Sequence, residues 1–338
     1  PAGWSVTPAL DYAFLWDSNV LIENQVSDPV SEQLHVFKPH GSINFDGRRS
    51  KFGLDYSGAF VQHPTLSSLN SYDQRLTADA SRLLSRRVSI FGNYSAATSP
   101  TTELVELVDV PFARIGSRRQ DVRAGVTSQL SRQTELSVGY RFERVAFDED
   151  PNRLTFLNGG RSQGANAELR HALTPRVALT ADYDLQRATM ATGEAFALQN
   201  GWGGAEYRWS EFMRVFGSAG MSYLAGADGR PARRGPALRL GVTRNFDTTQ
   251  MGVTYSRSFV PSYGFGGTSD NEELTSHLQI PVARRVIVRG ALSLRQNEPL
   301  EARDLKLRSL WFHGAVGYLL NDWARVEAFT GGSRQDID

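Results

Sequence analysis

Residues 134–147, TELSVGYRFERVAF, alternate apolar and polar side chains. Leu136, Val138, Tyr140 and Phe142 take one parity, and Glu135, Ser137, Gly139, Arg141 and Glu143 the other. A period of two predicts a β-strand whose two faces meet different surroundings. The pattern recurs at 5–16, 51–60, 121–130, 177–185 and 286–295, where rows such as Val286, Val288, Leu292 and Leu294 oppose Arg289, Ser293 and Arg295. Similar runs lie at 72–84, 87–96, 165–173, 202–209, 213–224, 237–246, 251–259, 274–282, 305–320 and 323–331. A weaker run at 34–45 slips parity around Pro39, which predicts a β-bulge.

Connections alternate in length. DGRR (46–49), SRR (85–87), SRQT (131–134), LTPR (173–176), WSEF (209–212), FDTTQ (246–250), VARR (282–285) and LNDW (320–323) are short. Between them fall longer polar stretches, among them 17–31, 61–70, 97–117, 148–161 and 189–198. Short turns at one end and long loops at the other predict a meander of hairpins, and in outer-membrane barrels the short turns are periplasmic. The prediction is one domain over 1–338, all-β, a transmembrane antiparallel up-and-down barrel. About seventeen strands are visible, so a barrel of about eighteen is expected, with its closing strand beyond Asp338. Sixteen is the alternative if 34–45 and 202–209 are misread.

Composition narrows the choice. No apolar run reaches the length of a membrane-spanning helix, which leaves strands as the way to cross. The net charge of +1 supplies no field to attract nucleic acid, and 338 residues without cysteine exclude a disulfide scaffold or a thiolate metal site. A soluble sandwich also alternates, but its strands average five or six residues. Small residues on the apolar parity (Ala124, Gly217, Ala219, Gly314) would underfill such a core, yet cost little against fluid lipid. Aromatics at strand ends, namely Trp16, Phe45, Trp202, Tyr207, Trp209, Phe246, Phe259 and Tyr318, fit interfacial girdles. The apolar rows therefore face lipid and the charged rows a wet lumen.

That parity yields candidate lumen charges. Early strands supply Asp11, Asp55, Asp73, Asp79, Arg123 and Arg141; late strands supply Arg239, Arg285, Arg289, Arg295 and Arg325. Acid-leaning and arginine-leaning walls would orient a dipolar solute, although pairing with neighbours along the wall is an equally open role. Phe91, Phe216, Trp311 and Phe329 share the lumen parity and are candidate sugar-stacking platforms, or simply wall fillers. The third long connection, TTELVELVDVPFARIG (101–116), is too apolar to leave in water. Val108, Asp109, Val110, Phe112 and Arg114 are candidates for a loop that folds inward as a constriction, with an external contact as the alternative. Six scattered histidines without a matching serine or carboxylate set point to neither an enzyme nor a metal site, and no cofactor is expected.

The stretch LDYAFLWDSNV (10–20) resembles the start of outer-membrane β-barrels associated with exopolysaccharide export. Those barrels open with a Tyr-rich strand and an Asp-(Asp/Ser)-Asn-(Val/Ile) exit, matched here by Asp17, Ser18, Asn19 and Val20. The resemblance implies a bacterial outer-membrane conduit for a secreted polysaccharide. Its expected partners are outer-membrane lipid and lipopolysaccharide, the polysaccharide chain and periplasmic export proteins. Periodicity alone implies only a conduit, so a diffusion porin and a non-conducting barrel that anchors an envelope machine remain alternatives.

Overall fold

The computed structural model describes residues 3–22, 29–102, 110, 112–148, 157–226, 231–246, 248–301, 305–321 and 323–337. Seventeen strands occupy them, as many as the alternation predicts. The first six are β1 (Gly3–Asp17), β2 (Glu32–Asp46), β3 (Ser50–Gln62), β4 (Ser71–Leu83), β5 (Val88–Ser99) and β6 (Ser117–Gln129). β7 (Thr134–Phe147), β8 (Gly160–Ala172), β9 (Val177–Met190), β10 (Ala195–Arg208), β11 (Met213–Leu224) and β12 (Arg233–Phe246) follow. The last are β13 (Thr249–Pro261), β14 (Thr268–Ala283), β15 (Val286–Pro299), β16 (Leu307–Leu319) and β17 (Arg325–Ile337). At 12–16 residues each strand exceeds the 9–11 that cross a bilayer at a tilt, so strand ends stand clear of the hydrocarbon.

Every strand pairs antiparallel with its sequence neighbours, from Gly3↔Asp46 in the first hairpin to Leu319↔Arg325 in the last. Both weak segments, 34–45 and 202–209, are full strands, β2 and β10, which removes the sixteen-strand alternative. The β9–β10 connection is shorter than expected, because β10 begins at Ala195. No bulge occurs at Pro39. Leu10↔Pro39 keeps the β1 register, and Phe37↔Phe60 and His40↔Ser57 keep that of β3. Only the ladder rungs of Lys38 and Pro39 toward β3 are missing, as a residue without an N–H requires. The apparent slip has another cause: Leu34 and Val36 hold the lumen parity and are buried there near the loop end.

The sheet curls so that its two ends approach. Lys38 Nζ of β2 stands 6.0 Å from the ring centroid of Phe329 on β17, although among the described residues no ladder joins β1 to β17. The outward parity is apolar and uncovered: Val6, Leu10, Val126, Val138, Leu179, Leu240, Val253 and Val316 are all exposed. In water so large an apolar face would drive association; against acyl chains it is matched. Aromatic pairs mark the short-turn end, Trp4 against Phe45 at 4.9 Å and Phe212 against Phe246 at 4.5 Å between centroids. Tyr12, Tyr94, Tyr140 and Tyr183 form an exposed outward set further up the wall. The buried core lies inside the cylinder at the long-loop end, where Val145, Ala188, Met190, Phe196, Leu198 and Leu224 cluster.

Candidate solute pathway

The registers fix which candidates point inward. Asp121 of β6 bonds Arg141 of β7, and Arg141 is opposite Gly164 of β8; the parity carries on through Asp184↔Asn200 and Ser218↔Arg239. By this chain of partners Asp11, Asp55, Asp73, Asp79, Arg123, Arg141, Arg239, Arg289, Arg295 and Arg325 all have lumen parity. Arg285 does not: it sits in the 284–285 turn between β14 and β15, exposed at the short-turn mouth. Phe91, Phe216, Trp311 and Phe329 also have lumen parity. Trp311, His313 and Phe329 form a stack on β16–β17, with centroids 6.3 and 6.1 Å apart.

Many lumen charges are neutralised along the wall. Asp121 accepts from Arg123 and Arg141 at 3.0 Å each, and Glu143 binds Arg119 at 2.8 Å. Glu273 takes Arg295 at 2.6 Å, and Glu327 takes Arg289 at 2.9 Å. Charge is thus shared along the wall, within β6, between adjacent strands and, for Arg289 and Glu327, across β16, one of the two roles the sequence left open. Not every lumen acid is paired in this way. Glu168 of β8 and Asp182 and Asp184 of β9 form no ion pair among the described residues.

Those acids line a cavity of about 430 Å³ that also meets Arg141 and Arg239. The Arg239 guanidinium lies 5.0 Å over the ring of Trp202, which also lines the space. Trp202 is therefore a lumen residue and not part of a girdle. Its indole N–H and the side-chain oxygen of Asn200 are buried without a partner among the described residues. Buried polar atoms ordinarily find a partner, so these two are available to a solute or water in the cavity. Acids of β8 and β9, with Arg141 of β7 on one side and Trp202 and Arg239 on the other, suit a polar, hydroxyl-rich ligand.

The roof of this cavity is the end of β13 with the loop after it. The β12–β13 ladder stops at Leu238↔Arg257. Released from β12, residues 258–263 lean across the lumen. The Phe259 N–H donates to Ser222 Oγ of β11 at 3.1 Å, and Asn200 Nδ2 of β10 donates to the Phe259 carbonyl at 3.3 Å. The Phe259 ring comes within 2.6 Å of where a Cβ on Gly235 would sit, so glycine is required there for the close approach. Phe259 too is internal, contrary to the girdle expectation. Tyr263, beyond the strand, reaches β7 and donates its hydroxyl to Glu143 at 3.2 Å. Burial and the adjacent Glu143 carboxylate both push the Tyr263 hydroxyl to a higher pKa, so it remains a donor.

The third long connection also turns inward where it is described; Val108 and Asp109 lie outside the described residues. Val110 is buried in the internal cluster with Val145 and Tyr263. Phe112 N–H donates to Gln335 Oε1 at 2.6 Å, and Gln335 Nε2 donates to the Val110 carbonyl at 3.3 Å, tying the loop to β17. Arg114 Nε donates to the Val20 carbonyl at 2.9 Å and so crosses to the β1–β2 loop. Below that loop the Glu32 carboxylate is buried. Its burial is outweighed by hydrogen bonds from Thr65, His63 and the Leu66 N–H, which hold its pKa at about 2.

No protein-family model and no curated protein matches the chain. Among solved structures it is similar to the FrpB iron transporter from Neisseria meningitidis (F3-3 variant), with 8% identity, TM-score 0.49, 99% of this chain and 62% of that one. It is also similar to the closed ferric-catecholate import receptor Fiu from E. coli K12, with 9% identity, TM-score 0.46, 100% of this chain and 65% of that one. The copper transporter OprC gives 11% identity and TM-score 0.45, over 98% and 67%. The chain thus spans less than two thirds of the first two. Likenesses this distant carry no argument about cargo. The class rests on the chain's own long strands, uncovered apolar outer face and loop asymmetry, which define an integral outer-membrane β-barrel.

Proposed function

We propose that this barrel is an outer-membrane conduit for a polar, elongated solute, held closed at rest by its long-loop end. The observation that carries the reading is the aromatic–charged interior beneath an internal roof. Trp202 and the Trp311–His313–Phe329 stack offer flat faces to sugar rings, and Glu168, Asp182, Asp184 and Arg239 offer hydrogen bonds to hydroxyls. An exopolysaccharide is the solute that the resemblance of residues 10–20 implies, and it fits this chemistry. A freely open diffusion porin is disfavoured by the apolar cluster across the long-loop half of the lumen. That same cluster favours, as a second reading, a sealed barrel with an anchoring role.

Planar-bilayer recording separates them. The conduit reading expects small, flickering conductance in the wild type, which soluble oligosaccharides block in a concentration-dependent way. Trp311→Ala with Phe329→Ala should weaken that block at least about tenfold, the order of one to two lost stacking contacts. Silence in both the wild type and a roof-deleted variant would support the sealed reading instead.

A further inference from the structure

The outer wall at the long-loop ends of β7, β8 and β9 carries three arginines of outward parity, Arg144, Arg161 and Arg187. Arg144 is directly opposite Arg161 in the β7–β8 register. Arg187 is opposite Gln163, one diagonal step from Arg161. Like charges directly opposite each other destabilise a sheet. All three side chains are exposed, and none is ion-paired among the described residues.

Elsewhere on the same rim several cations are neutralised by a neighbouring acid. Arg118 binds Asp148 at 2.8 Å, Arg257 binds Asp270 at 2.8 Å, and Lys306 binds Glu298 at 2.7 Å. The arginine triad is thus a local excess of positive charge. Arg161 and Arg187 flank an outward cavity of about 230 Å³ that also meets Phe142, Gln163 and Thr189.

Its height on the wall identifies the occupant. Val138, Leu169 and Leu179 are exposed apolar residues at the level of acyl chains. Tyr140 and Tyr183 stand above them, with the Tyr140 hydroxyl donating to Gln163 at 3.3 Å. Arg144 and Arg187 lie four residues further up their strands, about 10 Å higher at the usual rise and tilt. Upward along the wall the order is apolar, tyrosine, cation. This is the order of acyl chain, sugar and phosphate in a phosphorylated glycolipid of the outer leaflet.

We infer that Arg144, Arg161 and Arg187 form a binding site for the phosphate of a lipid A-type headgroup, whose acyl chains lie along Val138 and Leu179. Arginine suits this role because its planar fork meets phosphate oxygens in pairs. The inference rests on the membrane placement of the outer face and is independent of what passes through the lumen.

Native mass spectrometry of the full chain in detergent, titrated with bisphosphorylated lipid A, tests it. The wild type should hold lipid A through repeated detergent exchange. The triple variant Arg144→Gln, Arg161→Gln, Arg187→Gln should bind at least about tenfold more weakly. Arg257→Gln, elsewhere on the same rim, should bind as the wild type does, and dephosphorylated lipid A should not distinguish the triple variant from the wild type. Retained heat-modifiable migration on gels shows that the variants are folded. Equal lipid A affinity in wild type and triple variant overturns the assignment. So does millimolar inorganic phosphate displacing the lipid completely, which would make the site one for a free anion.

Discussion

The long-loop half of the lumen and its turn half are built from the same alternating strands, yet their inward rows differ. Near the turns the inward row is ionic and wet, as where Glu327 meets Arg289 and Arg325. Near the loops it becomes Val145, Ala188, Met190, Phe196 and Leu198, packed beneath Phe259 and Tyr263. Inward is therefore not synonymous with hydrated in this barrel. The inward face is polar where the lumen holds water and apolar where loops fill it.

Removing the filling should have the largest effect. Replacing Ser262–Gly267 with a two-glycine link takes away Tyr263 and should raise single-channel conductance several-fold. An unchanged conductance would mean that the upper lumen is closed by something else. Next comes packing. Leu198 is 0% exposed, so Leu198→Ala should lower unfolding free energy in lipid vesicles by about 2–5 kcal/mol, measured by urea titration. In the turn half, Arg289→Gln should cost no more than about 1 kcal/mol in the same titration, because that pair is partly hydrated and screened.

A last effect appears only in acid. The folded pKa of Glu32 is about 2, below its ordinary 4.5, so its contribution to stability is complete above pH 4.5 and disappears as pH falls toward 2. Wild-type stability should decline across that window more steeply than that of Glu32→Gln, as a pH series of melting temperatures would show. Parallel curves would remove Glu32 from the loop anchorage.

The comparison also explains what could be read from the sequence. Alternation at 121–130, 134–147 and 177–185 gave strands, faces and neighbours, because a period of two is a local property of the chain. It failed where tertiary structure changed the meaning of a face. Leu34 and Val36 looked like a slipped register because apolar residues were expected only outside. Phe259 was assigned to a girdle because nothing local announces that β13 leaves β12 after Arg257. Trp202 was assigned outward although it lies in step with Glu206, Asn200 and Leu198 on the inward row. That parity was visible and could have placed it correctly. Asp182 and Asp184 were recognised as polar-face residues, but their place in one cavity with Arg141 of β7 and Arg239 of β12 depends on strands distant in the sequence.

The account depends most directly on which row meets lipid. The absence of cysteine makes single labels clean, so spin labels at Val126 and Val138 can be compared with labels at Asp182 and Arg239 in reconstituted bilayers. The account predicts relaxation by dissolved oxygen at the two valine sites and by a water-soluble nickel chelate at the two charged sites. Chelate access at the valines together with oxygen access at Asp182 and Arg239 would contradict it.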